Sequence, residues 1–152
     1  MILLYFFTIN FGFTMEDTIK NSKYIFEQAT FGAGCFWCVE AVFERLDGVK
    51  DVRAGYTGGK IKNPNYEEVC RGNTGHVEVV QLDFNPQIIS FDKLLEIFWK
   101  SHDPTTLNRQ GSDVGTQYRS AIFHHTDGQR EPALDLIAGL DRDGPWVDPI
   151  VT

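Results

Sequence analysis

Apolar residues along this chain switch repeatedly between a period of two and a period near 3.6, and that switching restricts the fold more than any one motif does. Tyr24 to Phe31, Val49 to Tyr56, His76 to Phe84 and Arg119 to His125 read as strands. Cys35 to Leu46, Asn65 to Cys70, Phe91 to Lys100 and a segment from Thr126 or Asp127 to about Leu140 read as helices. The punctuation agrees. Asp47-Gly48 stops the first helix, Gly58-Gly59 ends the second strand, and Ser90 offers an N-cap to a helix with Phe91, Leu94, Leu95 and Phe98 on one face. The first helix carries Cys35, Cys38, Val39, Val42 and Leu46 as its apolar stripe. Strands and helices alternate, but their connections are uneven, so the expected class is α+β with a two-layer sandwich. His102 to Tyr118 has no period and is rich in Gly, Asn, Gln, Ser and Thr, which marks it as a functional loop. Trp146 to Thr152 begins a strand-like run, and the sequence ends inside it.

The chain has 152 residues, enough for one domain that holds its core without disulfides. A net charge of −7 argues against nucleic acid or an anionic membrane as the main partner. Three cysteines, an odd and sparse set, fit a reducing compartment and a cytoplasmic location better than a secreted scaffold. Met1 to Phe13 is almost wholly apolar, yet too short to span a bilayer and without the basic start of a secretory signal. Residues 1–21 are therefore expected to be a leader outside the fold, and 22–152 the domain, with a C-terminal strand and tail missing.

The chemistry starts at Cys35-Phe36-Trp37-Cys38, behind Gly32-Ala33-Gly34 at a strand-to-helix turn. The unpaired N–H groups and positive dipole end of a helix favour thiolate, the nucleophilic form. Cys35 and Cys38 stand at i and i+3, on the same side of the first turn, a spacing compatible with a disulfide. Half of a zinc site and a pair of inert core thiols are the other readings. Zinc needs two more ligands, and neither Cys70 nor the four histidines supply matching spacing.

Glu78 is the second clue. On a strand it shares a face with His76, Val80, Leu82 and Phe84, mostly apolar, so its carboxyl points inward and its pKa rises. A carboxyl kept neutral in this way can donate a proton at pH 7. The alternative is an ordinary solvated acid at the exposed start of the strand. Tyr66 and Tyr118 sit on or beside loops, where packing with a satisfied hydroxyl is the plainer role. Cys70, in a short helix, reads as a small buried hydrophobe, and His124 and His125 as structural residues.

Five ordered blocks between about Phe31 and Thr152 together resemble one family. They are Gly34 to Glu40 (GCFWCVE), Gly55 to Gly59 (GYTGG), Asn65 to Cys70 (NYEEVC), Gly75 to Val79 (GHVEV) and Gly115 to Ser120 (GTQYRS). The family is peptide methionine sulfoxide reductase of the A type. The resemblance implies a ferredoxin-like α/β sandwich and thiol-based reduction of the S epimer of methionine sulfoxide, free or within oxidised proteins. It implies Cys35 as the nucleophile and Glu78 as the acid that protonates the sulfoxide oxygen. Tyr66 and Tyr118 become the hydroxyls that hold that oxygen, Phe36 and Trp37 the pocket for the substrate methyl, and Asp113 a polar organiser of the site. The products are methionine and a sulfenic acid on Cys35. A second thiol then forms a disulfide, which thioredoxin or another external dithiol reduces. No cofactor and no metal are implied, and a monomer is expected.

Two departures bear on the second thiol. Many relatives carry resolving cysteines in a C-terminal tail, before which this sequence stops. Many also have glycine where this chain has Cys38. Cys38 is therefore the expected resolving residue. A general thiol–disulfide oxidoreductase, or an inactive relative that grips oxidised methionine, would use the same thiols or aromatics without the full set.

Overall fold

A computed structural model describes residues 25–152; the expected leader over 1–21 lies outside the described residues. The elements run β1 (Glu27–Gly32), α1 (Phe36–Phe43), β2 (Val49–Thr57), α2 (Tyr66–Cys70) and β3 (Val77–Phe84). They continue with α3 (Phe91–Ser101), β4 (Arg109–Gln110), β5 (Asp113–Val114), β6 (Ala121–Phe123) and α4 (Asp127–Asp143). Four strands make one antiparallel sheet in the order β2-β3-β1-β6, and β4 pairs with β5 in a separate small hairpin. The result is a mixed α/β fold on an antiparallel sheet.

The ladder register sorts side chains onto two faces. Phe31 stands opposite Val80, Ala29 opposite Leu82, and Val52 opposite Leu82 on the other side. These residues point toward the helices, and Phe31, Val80, Leu82 and Phe84 are fully buried there. Gln28, Asp83, Arg53, Gln81 and Thr30 alternate with them. On the other face Asp83 accepts from Gln28 and Arg53, and Gln81 donates to Thr30. One apolar and one polar face is what period-two alternation produces in an antiparallel sheet.

Phe31 is the centre of the apolar layer. Its ring stacks on Phe43 of α1 at 5.3 Å and on Phe98 of α3 at 5.1 Å, with Phe91 at 6.1 Å. A cavity there would open between both helices and the sheet, so Phe31→Ala should cost about 3–5 kcal/mol. Chemical denaturation should show a lower midpoint at an unchanged slope. A midpoint within error of the parent would mean that this stack does not hold the layers together.

Four expectations need correction. Helix α1 buries Val39 and Phe43, while Cys38 and Val42 are exposed. The helix is apolar nearly all round, so its pattern does not mark which stripe meets the sheet. Cys70 is exposed rather than buried. Helix α2 is barely more than one turn and turns only Val69 inward. Residues 146–152 form no strand. Their apolar groups act through side chains, Trp146 lying 6.3 Å from Trp99, and the backbone is held by Val151 N–H donating to the Pro104 carbonyl. Finally, the segment from His102 to Tyr118 holds the β4–β5 hairpin and a 3₁₀ turn at Thr116–Tyr118.

His102 anchors the start of that segment. Its Nδ1 lies 2.8 Å from the Phe98 carbonyl, which can only accept, so Nδ1 carries the proton and Nε2 accepts from Ser120 Oγ at 2.7 Å. Burial lowers the pKa of this ring, in keeping with a neutral imidazole.

Candidate active site

The turn from β1 into α1 depends on Gly34. Its φ is +89°, and a Cβ there would lie 2.6 Å from Cβ of Gln110. Glycine alone meets both conditions. The turn delivers Cys35 to the N-cap of α1, where its side chain makes no capping hydrogen bond and stays available for other work. Its carbonyl instead accepts the N–H groups of Cys38 at 3.1 Å and Val39 at 3.3 Å. The cysteines are all free thiols. A hydrogen bond between the Cys38 thiol and Cys35, together with the Cys35 charge, raises the pKa of Cys38.

Sequence reasoning left Glu78 between a buried acid and a solvated one. Its side chain lies at the end of the sheet's apolar face, and the residue is 5% exposed. Phe36, first residue of α1, donates its backbone N–H to Glu78 Oε2 at 3.3 Å. The Tyr56 hydroxyl donates to Oε1 at 3.4 Å. Burial is the largest influence on this carboxyl and raises its pKa. The two hydrogen bonds oppose that rise, Asp113 adds to it, and the net direction is upward.

Tyr66 opens α2, whose capping box is complete: the Asn65 side chain accepts from Glu68 N–H at 2.9 Å and the Glu68 carboxylate accepts from Asn65 N–H at 2.8 Å. The Cys70 thiol, one turn on, raises the Tyr66 hydroxyl pKa. Tyr118 lies on the 3₁₀ turn, with its hydroxyl raised by burial and then by Glu78. Two contacts tie the two tyrosine loops together, and a third closes the Tyr118 turn on itself. Thr116 Oγ1 donates to the Gly72 carbonyl at 3.2 Å, and the Arg119 guanidinium donates to the carbonyls of Thr116 at 2.8 Å and Gly75 at 3.1 Å.

A cleft of about 410 Å³ is lined by Cys35, Phe36, Trp37, Tyr56, Tyr66, Glu78, Asp113 and Tyr118. The fold thus collects the residues expected at the site from α1, α2, β3, β5 and the 3₁₀ turn. Cys38 stands beside Cys35 but does not line the cleft. Trp37 is 71% exposed, and its ring lies 6.3 Å from Phe36, which in turn packs 5.5 Å from Tyr56. Tyr56 was missed by sequence reasoning; only the strand register, which sets it opposite Glu78, reveals it. A thiol, a carboxyl of raised pKa, phenolic donors and an aromatic wall suit attack on a small polar group carried by an apolar side chain. A larger groove of about 860 Å³ runs between α3 and α4 past Leu95, Trp99, Leu136 and Trp146, but it carries no thiol.

The sequence model for peptide methionine sulfoxide reductase matches residues 27–152. The peptide methionine sulfoxide reductase MsrA of Methanothermobacter thermautotrophicus is 55% identical over 127 residues, 84% of this chain and 75% of the relative. Mxr1 from Saccharomyces cerevisiae in reduced form superposes with a TM-score of 0.74 at 34% identity, covering 88% of this chain and 82% of Mxr1. Mxr1 in complex with Trx2 superposes with a TM-score of 0.57 at 24% identity, covering 88% and 84%. Among the described residues, no helix is long and apolar enough to cross a membrane. The matched span takes in every side chain of the cleft, and with more than half of the aligned residues shared with an MsrA protein, the chain belongs to the peptide methionine sulfoxide reductase family.

Proposed function

We propose that this chain reduces methionine-S-sulfoxide, free or within oxidised proteins, to methionine through a sulfenic acid on Cys35. The observation that carries this reading is the meeting, in one cleft, of an N-cap thiol with a buried carboxyl of raised pKa. A sulfoxide sulfur resists attack because its oxygen leaves badly. Glu78, its pKa raised by burial, protonates that oxygen from its neutral form while Tyr66 and Tyr118 hold it by hydrogen bonds. The Cys35 thiolate attacks the sulfur. The protonated oxygen leaves the substrate sulfur as water, taking a second proton from solvent, and a bond between the Cys35 sulfur and a sulfonium forms in its place. Water then attacks the Cys35 sulfur, that bond breaks, methionine leaves with the electron pair, one proton returns to solvent, and Cys35 is left as a sulfenic acid, oxidised by the two electrons the sulfoxide gains. Phe36 and Trp37 form the wall against which the substrate methyl rests, and Asp113 helps keep the proton on Glu78. The fold fits a ferredoxin-like sandwich, for which the order β2-β3-β1-β6, with helices following β1 and β3, is the support.

Cys38 resolves the sulfenic acid in this reading. Its pKa is raised chiefly by the hydrogen bond and charge of Cys35. Oxidation of Cys35 to a neutral sulfenic acid removes that charge, so Cys38 ionises more easily when its attack is needed. Its thiolate displaces hydroxide from the Cys35 sulfur, water forms, and a Cys35–Cys38 disulfide remains. An external dithiol of the thioredoxin kind reduces it by exchange. The complex of the related Mxr1 with Trx2 supports that choice of reductant.

Cys38→Ser protein should release one methionine per chain in a single turnover and then lose at least about tenfold in thioredoxin-driven cycling. Parallel assays of burst and steady state check this. Undiminished cycling would remove Cys38 from the resolving step. A general thiol–disulfide oxidoreductase would instead keep exchanging disulfides and show no burst of methionine.

A further inference from the structure

We propose that Tyr56 is a positioning residue for the reaction: its hydroxyl and ring together hold the Glu78 carboxyl and the Phe36 ring in the geometry that proton transfer to the substrate uses. The proposal rests on Glu78 as the proton donor and adds a part to that site.

Three observations converge on Tyr56. Strand β2 pairs with β3 so that Tyr56 stands directly across from Glu78 on the helix-facing side. Residues opposed in this way share a face and hold their Cβ atoms close. The Tyr56 hydroxyl donates to Glu78 Oε1, and the Phe36 N–H donates to Oε2. The carboxyl is thus gripped at both oxygens, and its plane is fixed between a strand and a helix N-terminus. The Tyr56 ring also packs 5.5 Å from Phe36 with a tilt of 47°. One side chain therefore braces both the acid and the aromatic floor of the cleft.

The hydroxyl suits holding rather than giving up a proton. Burial first, and then the Glu78 charge, push its pKa well above the ordinary tyrosine value. It stays a donor throughout the working range. A donated hydrogen bond favours the ionised carboxyl, so Tyr56 offsets part of the rise that burial imposes on Glu78. That balance lets Glu78 hold a proton and still release it. The other groups facing Glu78 are Asp113 from β5, Tyr118 from the 3₁₀ turn, Tyr66 from α2 and Cys35 from the start of α1. None of these replaces the Tyr56 bond to Oε1.

The test compares the full chain with Tyr56→Phe and Tyr56→Leu. Tyr56→Phe keeps the ring, so KM for a methionine-S-sulfoxide peptide should hold while kcat falls about 3–10-fold. The alkaline limb of its pH–rate profile should move to higher pH, because the carboxylate has lost a donor. The Glu78 carboxyl, followed by NMR without substrate, should titrate at higher pH in the same variant. Tyr56→Leu, without the ring against Phe36, should also raise KM. An unmoved Glu78 titration and an unmoved alkaline limb in Tyr56→Phe would overturn the proposal. If the parent reduces no sulfoxide while the titration still shifts, the reading of the reaction falls and the Tyr56–Glu78 coupling is supported.

Discussion

Cys35→Ser protein should fold as the parent does and reduce no methionine-S-sulfoxide, a loss of at least about 10⁴-fold, because removing the nucleophile removes the covalent route with it. The two halves of this result come from the same place in the fold. Cys35 occupies the N-cap of α1 without a side-chain capping bond, so its sulfur contributes nothing to closing the helix. Serine is among the preferred N-cap residues, and its hydroxyl can accept from a free N–H of the first turn. The thermal midpoint of Cys35→Ser should therefore equal or slightly exceed that of the parent. Serine is far too weak an acid to supply an alkoxide at neutral pH, and its oxygen has no stable analogue of a sulfenic acid to form. A well-folded variant that still turns over would show that another group attacks the sulfoxide. Cys70 would be the first to examine, since it is exposed and lies against Tyr66.

Glu78→Gln should lower kcat by about 10²–10⁴-fold, the usual contribution of a positioned general acid. The glutamine amide is nearly isosteric, and its oxygen can still accept the Phe36 N–H. What is lost is the transferable proton. In the parent, activity should fall on the alkaline side as Glu78 ionises, and Glu78→Gln should remove that limb from its residual activity. Stability should move the opposite way. The folded chain raises the Glu78 pKa, so burial of this group favours the protonated form. Its stabilising share is complete below the unfolded carboxyl range and is lost as pH rises through the folded value. Glutamine cannot ionise. The variant should melt above the parent at pH 8 and alongside it at pH 4, as calorimetry at the two values would show. Equal melting at both, with unimpaired turnover, would mean that Glu78 is an ordinary solvated acid.

Local patterns carried much of this site. Period-two alternation from His76 to Phe84 put Glu78 on the face with Val80, Leu82 and Phe84, and all three are fully buried. The glycines before Cys35 marked the strand-to-helix turn, and Gly34 adopts the positive φ that such a turn requires. What stayed hidden is non-local or too short to have a period. Tyr56 matters because of its partner across the β2–β3 ladder, and register is decided by pairing that no single strand reveals. The β4–β5 hairpin has two residues per strand, too few to alternate, yet β5 brings Asp113 into the cleft. Cys70 was misplaced for a related reason, since a five-residue helix offers too little periodicity to tell Val69 from its neighbour. Pro149 within 146–152 and Pro145 just before it remove N–H donors from what apolar content alone suggests is a strand, and the segment is held by the Trp146 and Thr152 side chains and the Val151–Pro104 backbone bond rather than by a ladder.

Chemical capture of the oxidised sulfur tests the central step most directly. Protein carrying both Cys38→Ser and Cys70→Ser keeps Cys35 as its sole thiol. It would be mixed with one equivalent of methionine-S-sulfoxide in the absence of any reductant, treated with a sulfenic-acid trap and mapped by mass spectrometry. One methionine should form per chain, with the trap on Cys35, and the R epimer should give neither. Methionine released without label on Cys35, or equal labelling by both epimers, would contradict sulfenic acid chemistry at this cysteine or its selectivity for the S epimer.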